Sequence, residues 1–72
     1  ERNNVVRVYE LYLKNAKNPP RADWARSQIA MAYDQASDPK SALAAWREIK
    51  DTNSFRFLAR RAQRWEQEAK SR

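Results

Sequence analysis

Cysteine, histidine and glycine are all missing from this chain of 72 residues, and each absence removes a class of function. Without cysteine there is no disulfide staple, and without cysteine and histidine together there is no thiolate or imidazole metal site. Without glycine, the phosphate-cradling loop, the dinucleotide fingerprint and the calcium-binding EF-hand loop lose the residue that their sharp turns require. General acid–base chemistry loses its commonest agent, and Ser27, Ser37, Ser41 and Ser54 have no imidazole to activate them. Asp23, Asp34, Asp38, Glu48 and Asp51 read as helix caps and solvated charges rather than as a tuned catalytic pair. No apolar run approaches the roughly 18 residues of a membrane span, and no signal-peptide pattern is visible. The expectation is a chain with no enzyme activity, no catalytic residue, no cofactor and no metal. Zero cysteines fit any compartment.

What is present is helical pattern and positive charge. A chain this short buries only about 60% of its unfolded surface, and its core supplies roughly 3–5 kcal/mol. It begins at Glu1 without methionine and enters a helical pattern at once, which suggests a piece of something longer. The formal net charge of +6 is uneven along the chain. Residues 1–22 carry five basic and two acidic side chains, residues 23–55 four and five, and residues 56–72 six and two. Both ends are basic and the middle is nearly neutral.

Four helices are expected, with no strand-like alternation between them. The first spans about Asn4 to Lys17, with Val5, Val8, Tyr9, Tyr12, Leu13 and Ala16 on its buried face and Asn3 or Asn4 as cap. Asn18-Pro19-Pro20 ends it. The second spans about Arg21 to Ala36 and buries Ala22, Ala25, Ile29, Ala32, Tyr33 and Ala36, small residues that let helix axes approach closely. The third opens with Asp38 as cap and Pro39 in the first helical position, and runs to about Lys50 over Ala42, Leu43, Trp46 and Ile49. After the break Asp51-Thr52-Asn53-Ser54, the fourth runs from about Phe55 to Ser71. Its stripe is Phe55, Leu58, Ala62, Trp65 and Ala69, and Glu66 and Lys70 form an (i, i+4) pair.

Residues 23–56 carry a repeat-like spacing. Ile29, Ala30 and Tyr33 give I-A-x-x-Y, and Ala42 and Trp46 follow with three residues between them, with Ile49 three further on. This resembles the tetratricopeptide (TPR) family, whose pattern is L-G-x-x-Y and then A-x3-F. A shift of 34 residues pairs Trp46 with Tyr12 and Ser54 with Pro20, so the first helix fits as the second half of a preceding repeat. Asn15 at the small-residue position, Ala30 for glycine and Ser54 for proline are departures from the pattern. Over about residues 8–58 the chain is also similar to bacterial cell-envelope TPR proteins of the Tol-Pal-associated and outer-membrane-assembly lipoprotein kinds. That likeness implies a periplasmic or envelope setting, with the cytoplasm left open.

The resemblance implies an all-α domain over residues 1–72: antiparallel helices stacked as TPR-like hairpins in a right-handed superhelix. Residues 1–22 would be the second helix of one repeat, 23–54 a full repeat, and 55–72 a polar C-terminal capping helix. It also implies a concave groove lined by Trp24, Ser27, Gln28, Met31 and Asp34, offered to a protein or peptide partner. Exposed Trp and Met suit such a surface. The other reading of that stripe packs Trp24 and Met31 against the first helix or a preceding repeat. The carboxylate clamp of the family, built from Lys, Arg and Asn, is not recognisable. A different class of function rests on the basic cluster Arg56, Arg60, Arg61 and Arg64, with Lys70 and Arg72 beyond it. Such a cluster is able to bind nucleic acid or an anionic surface through phosphate contacts. Its alternative is a solvated cap face, favoured because Glu66 and Glu68 interrupt the charge and cations suit a helix C-terminus.

Overall fold

The structure, a computed structural model, describes residues 2–15 and 19–71, and those residues form an all-helical domain. The helices are α1 (Arg2–Asn15), α2 (Pro19–Gln35), α3 (Pro39–Arg47) and α4 (Ala59–Lys70), with a 3-10 segment at Thr52–Leu58 before α4. α1 already covers Asn3 and Asn4, so neither is its cap. Its expected end at Lys17, the buried Ala16 and the stop signal at Asn18 lie outside the described residues. α2 begins at the two prolines, which lack amides where the first turn leaves amides without helical partners.

The turn between α2 and α3 is set by backbone hydrogen bonds. Ser37 takes φ of 58°, the Asp38 amide donates to the Tyr33 carbonyl, and the Ser37 amide donates to Asp34. This is a Schellman closure with serine in the left-handed position that glycine usually takes, a conformation that costs about 1–2 kcal/mol. Asp38 then caps α3 as expected, its carboxylate accepting from the Ser41 amide at 3.2 Å.

α3 stops at Arg47 rather than Lys50: the Glu48 amide bonds back to Ala45, and Asp23 of α2 captures the amides of Lys50 and Asp51. The Ile49 amide still donates back to Trp46, but the Lys50 amide, which would continue the helix, donates to Asp23 instead. The fourth helix begins later than the Phe55 expected. Ser54 donates its hydroxyl to Asp51, and Phe55 leaves the helical region at φ −124° and ψ 35°. Short polar side chains that bond locally compete with helix in this way. Phe55 thereby packs on the core while Phe57 stays exposed.

Consecutive helices pack on one another: α1 on α2, α2 on α3, and α3 on α4. The domain measures 35 × 29 × 15 Å, and its thinnest dimension matches two helix layers at an axial spacing of about 8–10 Å. The core joins Ala30, Ala42, Leu43, Ile49, Leu58, Ala62 and Trp65, with Met31, Tyr33, Trp46 and Phe55 packed at its edge. The apolar stripes of α3 and α4 therefore lie where periodicity puts them. On α1 the expected Tyr9, Tyr12 and Leu13 are half-buried, but the valines differ from expectation. Val6 is buried, whereas Val5, Val8 and Leu11 face outward at 43%, 63% and 62% exposure. α1 packs along one side only, so it buries a narrow ridge.

Ala30 and Ala42 have no exposed surface and share one cluster. A larger side chain there forces the backbones apart, at about 1–3 kcal/mol. Ala42→Leu is thus expected to lower the melting temperature followed by far-UV circular dichroism. An unchanged melting curve would mean that α2 and α3 do not meet closely at this residue.

Candidate functional site

The stripe expected to line a groove on α2 is dispersed by the fold. Trp24 is 47% exposed but its ring stacks edge-on against Tyr9 of α1, with centroids 5.4 Å apart and planes at 75°. Ser27 is fully buried and its hydroxyl donates to the Trp24 carbonyl, which corrects its expected place on a binding surface. Gln28 is half-buried, and Met31 packs against the core at the edge of the cluster. Asp34 is taken up by α4. It accepts from Trp65 Nε1 at 2.8 Å, from Arg64 at 2.6 Å and from Arg61 at 3.0 Å. The structure does not bring these five residues together as one open surface.

The same contacts change the basic cluster. Arg61 and Arg64 pair with Asp34 while staying about half exposed, and Arg64 also lies 3.9 Å from Glu68. All four arginines of the cluster are exposed, but two of them have their charge answered by Asp34. Glu66 lies 4.0 Å from Arg47 and is not among the ion-pair partners of Lys70.

Two carboxylates hold the helices together. Asp23 is 2% exposed and accepts from the Lys50 amide at 3.0 Å, the Asp51 amide at 2.9 Å and Arg26 at 3.2 Å. Burial alone would raise its pKa, but the two amides and the guanidinium outweigh burial and hold the carboxyl below the usual range. Asp34 follows the same logic: burial pushes it up, and the Trp65 and Arg64 hydrogen bonds with the nearby arginine charges bring it down further. Depressed carboxyls of this kind act as anchors, because a proton would break the contacts that position them.

An open groove lies on a different side of α2, apart from a shallower apolar hollow on α1 itself at Arg7, Val8, Glu10, Leu11 and Lys14. A groove of about 420 Å³ runs between α1 and α3 with α2 beneath. Leu13, Ile29 and Tyr33 supply apolar surface, Ala44 and Ala45 of α3 keep one wall low, and Glu10 and Glu48 stand on the two helices that flank it. Arg26 also reaches this groove, but its charge is answered by Asp23. Asp23, Asp34, Asp38, Asp51, Glu66 and Glu68 each accept a hydrogen bond or ion pair within the chain. Among the described residues, Glu10 and Glu48 are the acidic side chains with no such partner. Both line the same groove. A second cleft of about 320 Å³, bordered by Asp34, Asp38, Arg64 and Glu68, has its charges internally matched.

Sequence reasoning did not find this groove. Glu10 and Glu48 are far apart in the chain, and no local motif links them. The 34-residue shift that pairs Tyr12 with Trp46 was the available signal, since it pairs a residue of α1 with one of α3.

Comparison with protein-family models, with curated proteins and with solved structures finds no match for this chain. No helix of the described residues is long and apolar enough to cross a membrane.

Proposed function

We propose that this chain is a non-enzymatic protein-interaction module, built of TPR-like helical hairpins that stack antiparallel in a right-handed superhelix. The repeat spacing supports the architecture, together with the consecutive packing of helices and the closely packed Ala30 and Ala42. The single observation that carries the function is the open groove between α1 and α3. It combines apolar floor, small residues and unanswered charge, whereas the charges elsewhere on α2 and α4 are largely matched within the chain. Surfaces that bind macromolecules need contact area and polar groups left free for the partner.

The test is a peptide-display selection on the wild-type chain, counter-selected against Ala44→Trp, which fills the groove from its exposed wall. Peptides that bind the wild type in the micromolar range and lose Ala44→Trp by about tenfold or more are expected. Fluorescence anisotropy with mixed oligonucleotides, at about 50 and 200 mM salt, is the parallel measurement. Salt-dependent oligonucleotide binding that disappears in Arg56→Ala/Arg60→Ala, with no groove-dependent peptide, would overturn the proposal.

A further inference from the structure

Resting on the reading of the groove as a docking surface, we infer that its occupant is a cationic amphipathic helix: one apolar face flanked by lysine or arginine.

The chemistry of the groove selects this occupant. Its floor is apolar where Ile29 is buried and Leu13 and Tyr33 are half-buried. An aqueous groove of this composition gains by covering those side chains with other apolar groups. Ala44 and Ala45 leave the middle of the α3 wall without a long side chain, so a helix is able to lie against it at the short end of the usual spacing of about 8–10 Å. An occupant helix in this position joins a layer of helices in the same manner as its two walls.

The rim then decides the sign of charge. Glu10 stands on α1 and Glu48 at the C-terminal end of α3, both exposed, and neither has an ion-pair partner among the described residues. Glu48 also follows the last turn of α3, where the negative end of the helix dipole adds to its charge. The rim thus carries two unpaired carboxylates within a chain of net charge +6, although Arg7 and Lys14 stand beside Glu10 on α1. That contrast matters for the choice of partner. A second copy of this chain approaches under overall repulsion, and so does any generally basic protein, unless its charge is confined to one helix face that meets the two glutamates. An acidic helix meets like charge at the rim and is rejected there. Lysine or arginine spaced to reach both walls converts the unpaired carboxylates into rim ion pairs.

Three synthetic peptides test the inference against the 72-residue chain by isothermal titration calorimetry. They share a leucine face and carry flanking lysine, glutamine or glutamate. The lysine peptide is expected to bind in the micromolar range, with the glutamine peptide about tenfold weaker and the glutamate peptide weaker still. Glu10→Gln/Glu48→Gln is expected to bring the lysine peptide down to the level of the glutamine peptide while leaving the thermal melt unchanged, since both residues are exposed and unpaired. Ala44→Trp should abolish binding of all three. Equal binding of the lysine and glutamate peptides, with loss in Ala44→Trp, refutes the cationic partner and leaves the groove as a docking site. Binding of none of the three, or binding indifferent to Ala44→Trp, overturns both readings. Sedimentation equilibrium showing a dimer that Ala44→Trp dissociates would make a second copy the occupant and refute the cationic helix.

Discussion

An Asp23→Ala chain is expected to lose most of its stability at neutral pH. The carboxylate is buried and uses both oxygens: Oδ1 accepts from the Lys50 amide and Arg26, and Oδ2 accepts from the Asp51 amide. Removing it leaves two backbone donors and a guanidinium without their partner. Each orphaned donor costs about 1–3 kcal/mol where water does not reach it. Lys50 and Asp51 are themselves exposed, so water recovers part of that, and a net loss of about 2–4 kcal/mol remains. A chain of this size has only roughly 3–5 kcal/mol in total. Asp23→Asn should be nearly as damaging, because an amide offers one acceptor oxygen where two are in use and points an N–H at a backbone donor. Urea titration followed by far-UV circular dichroism measures both variants. Native-like stability in either would show that α3 does not depend on Asp23 for its termination.

Asp34→Ala is expected to cost about 2–3 kcal/mol, and here asparagine should rescue. Trp65 is fully buried, and its indole N–H loses its acceptor in the alanine variant. The Arg61 and Arg64 side chains are about half exposed, so their ion pairs with Asp34 contribute only about 0–1 kcal/mol each. Most of the loss therefore comes from the indole, and an asparagine oxygen is able to accept that one bond. The expected order in tryptophan-fluorescence unfolding is wild type, then Asp34→Asn, then Asp34→Ala. Equal loss in both variants would assign the effect to charge and not to the Trp65 bond.

The two carboxyls also set the response to acid. Each is held below its ordinary value in the folded state, so the unfolded chain takes up the proton first. Their stabilisation is complete above the unfolded-state pKa of about 3.9 and is lost as pH falls through the lower folded values. Stability should therefore decline below about pH 4, and Asp34→Asn should flatten that decline.

How much of this was legible in the sequence varies from helix to helix. The stripe of α4 was readable because Leu58, Ala62 and Trp65 are its main apolar residues and only one face satisfies them. The α2–α3 turn was readable because Asp38 and Pro39 act within a few residues of each other. α1 was ambiguous. Val5, Val8 and Tyr12 follow helical spacing, and so do Val6, Tyr9 and Leu13, roughly 100° away around the same cylinder. The structure buries Val6, and only the position of α2 selects between the two faces.

Asp23 and Asp34 show the same division from the polar side. As single letters they are surface aspartates on a helix, and the sequence reading left both among caps, solvated charges and groove residues. Their roles depend on donors 27 to 31 residues away, brought within about 3 Å by packing.

The groove follows from these distributions. Periodicity, caps and prolines act over a few residues, and they suffice for the all-helical chain, for the placement of α2, α3 and α4 within a few residues, and for the core stripes of α3 and α4. Packing between helices selects which face α1 buries, which arginines Asp34 holds, and which acids among the described residues stay unpaired. Those outcomes depend on helices that are distant in sequence. Glu10 and Glu48 became candidate binding residues only when α1 and α3 were set on either side of α2.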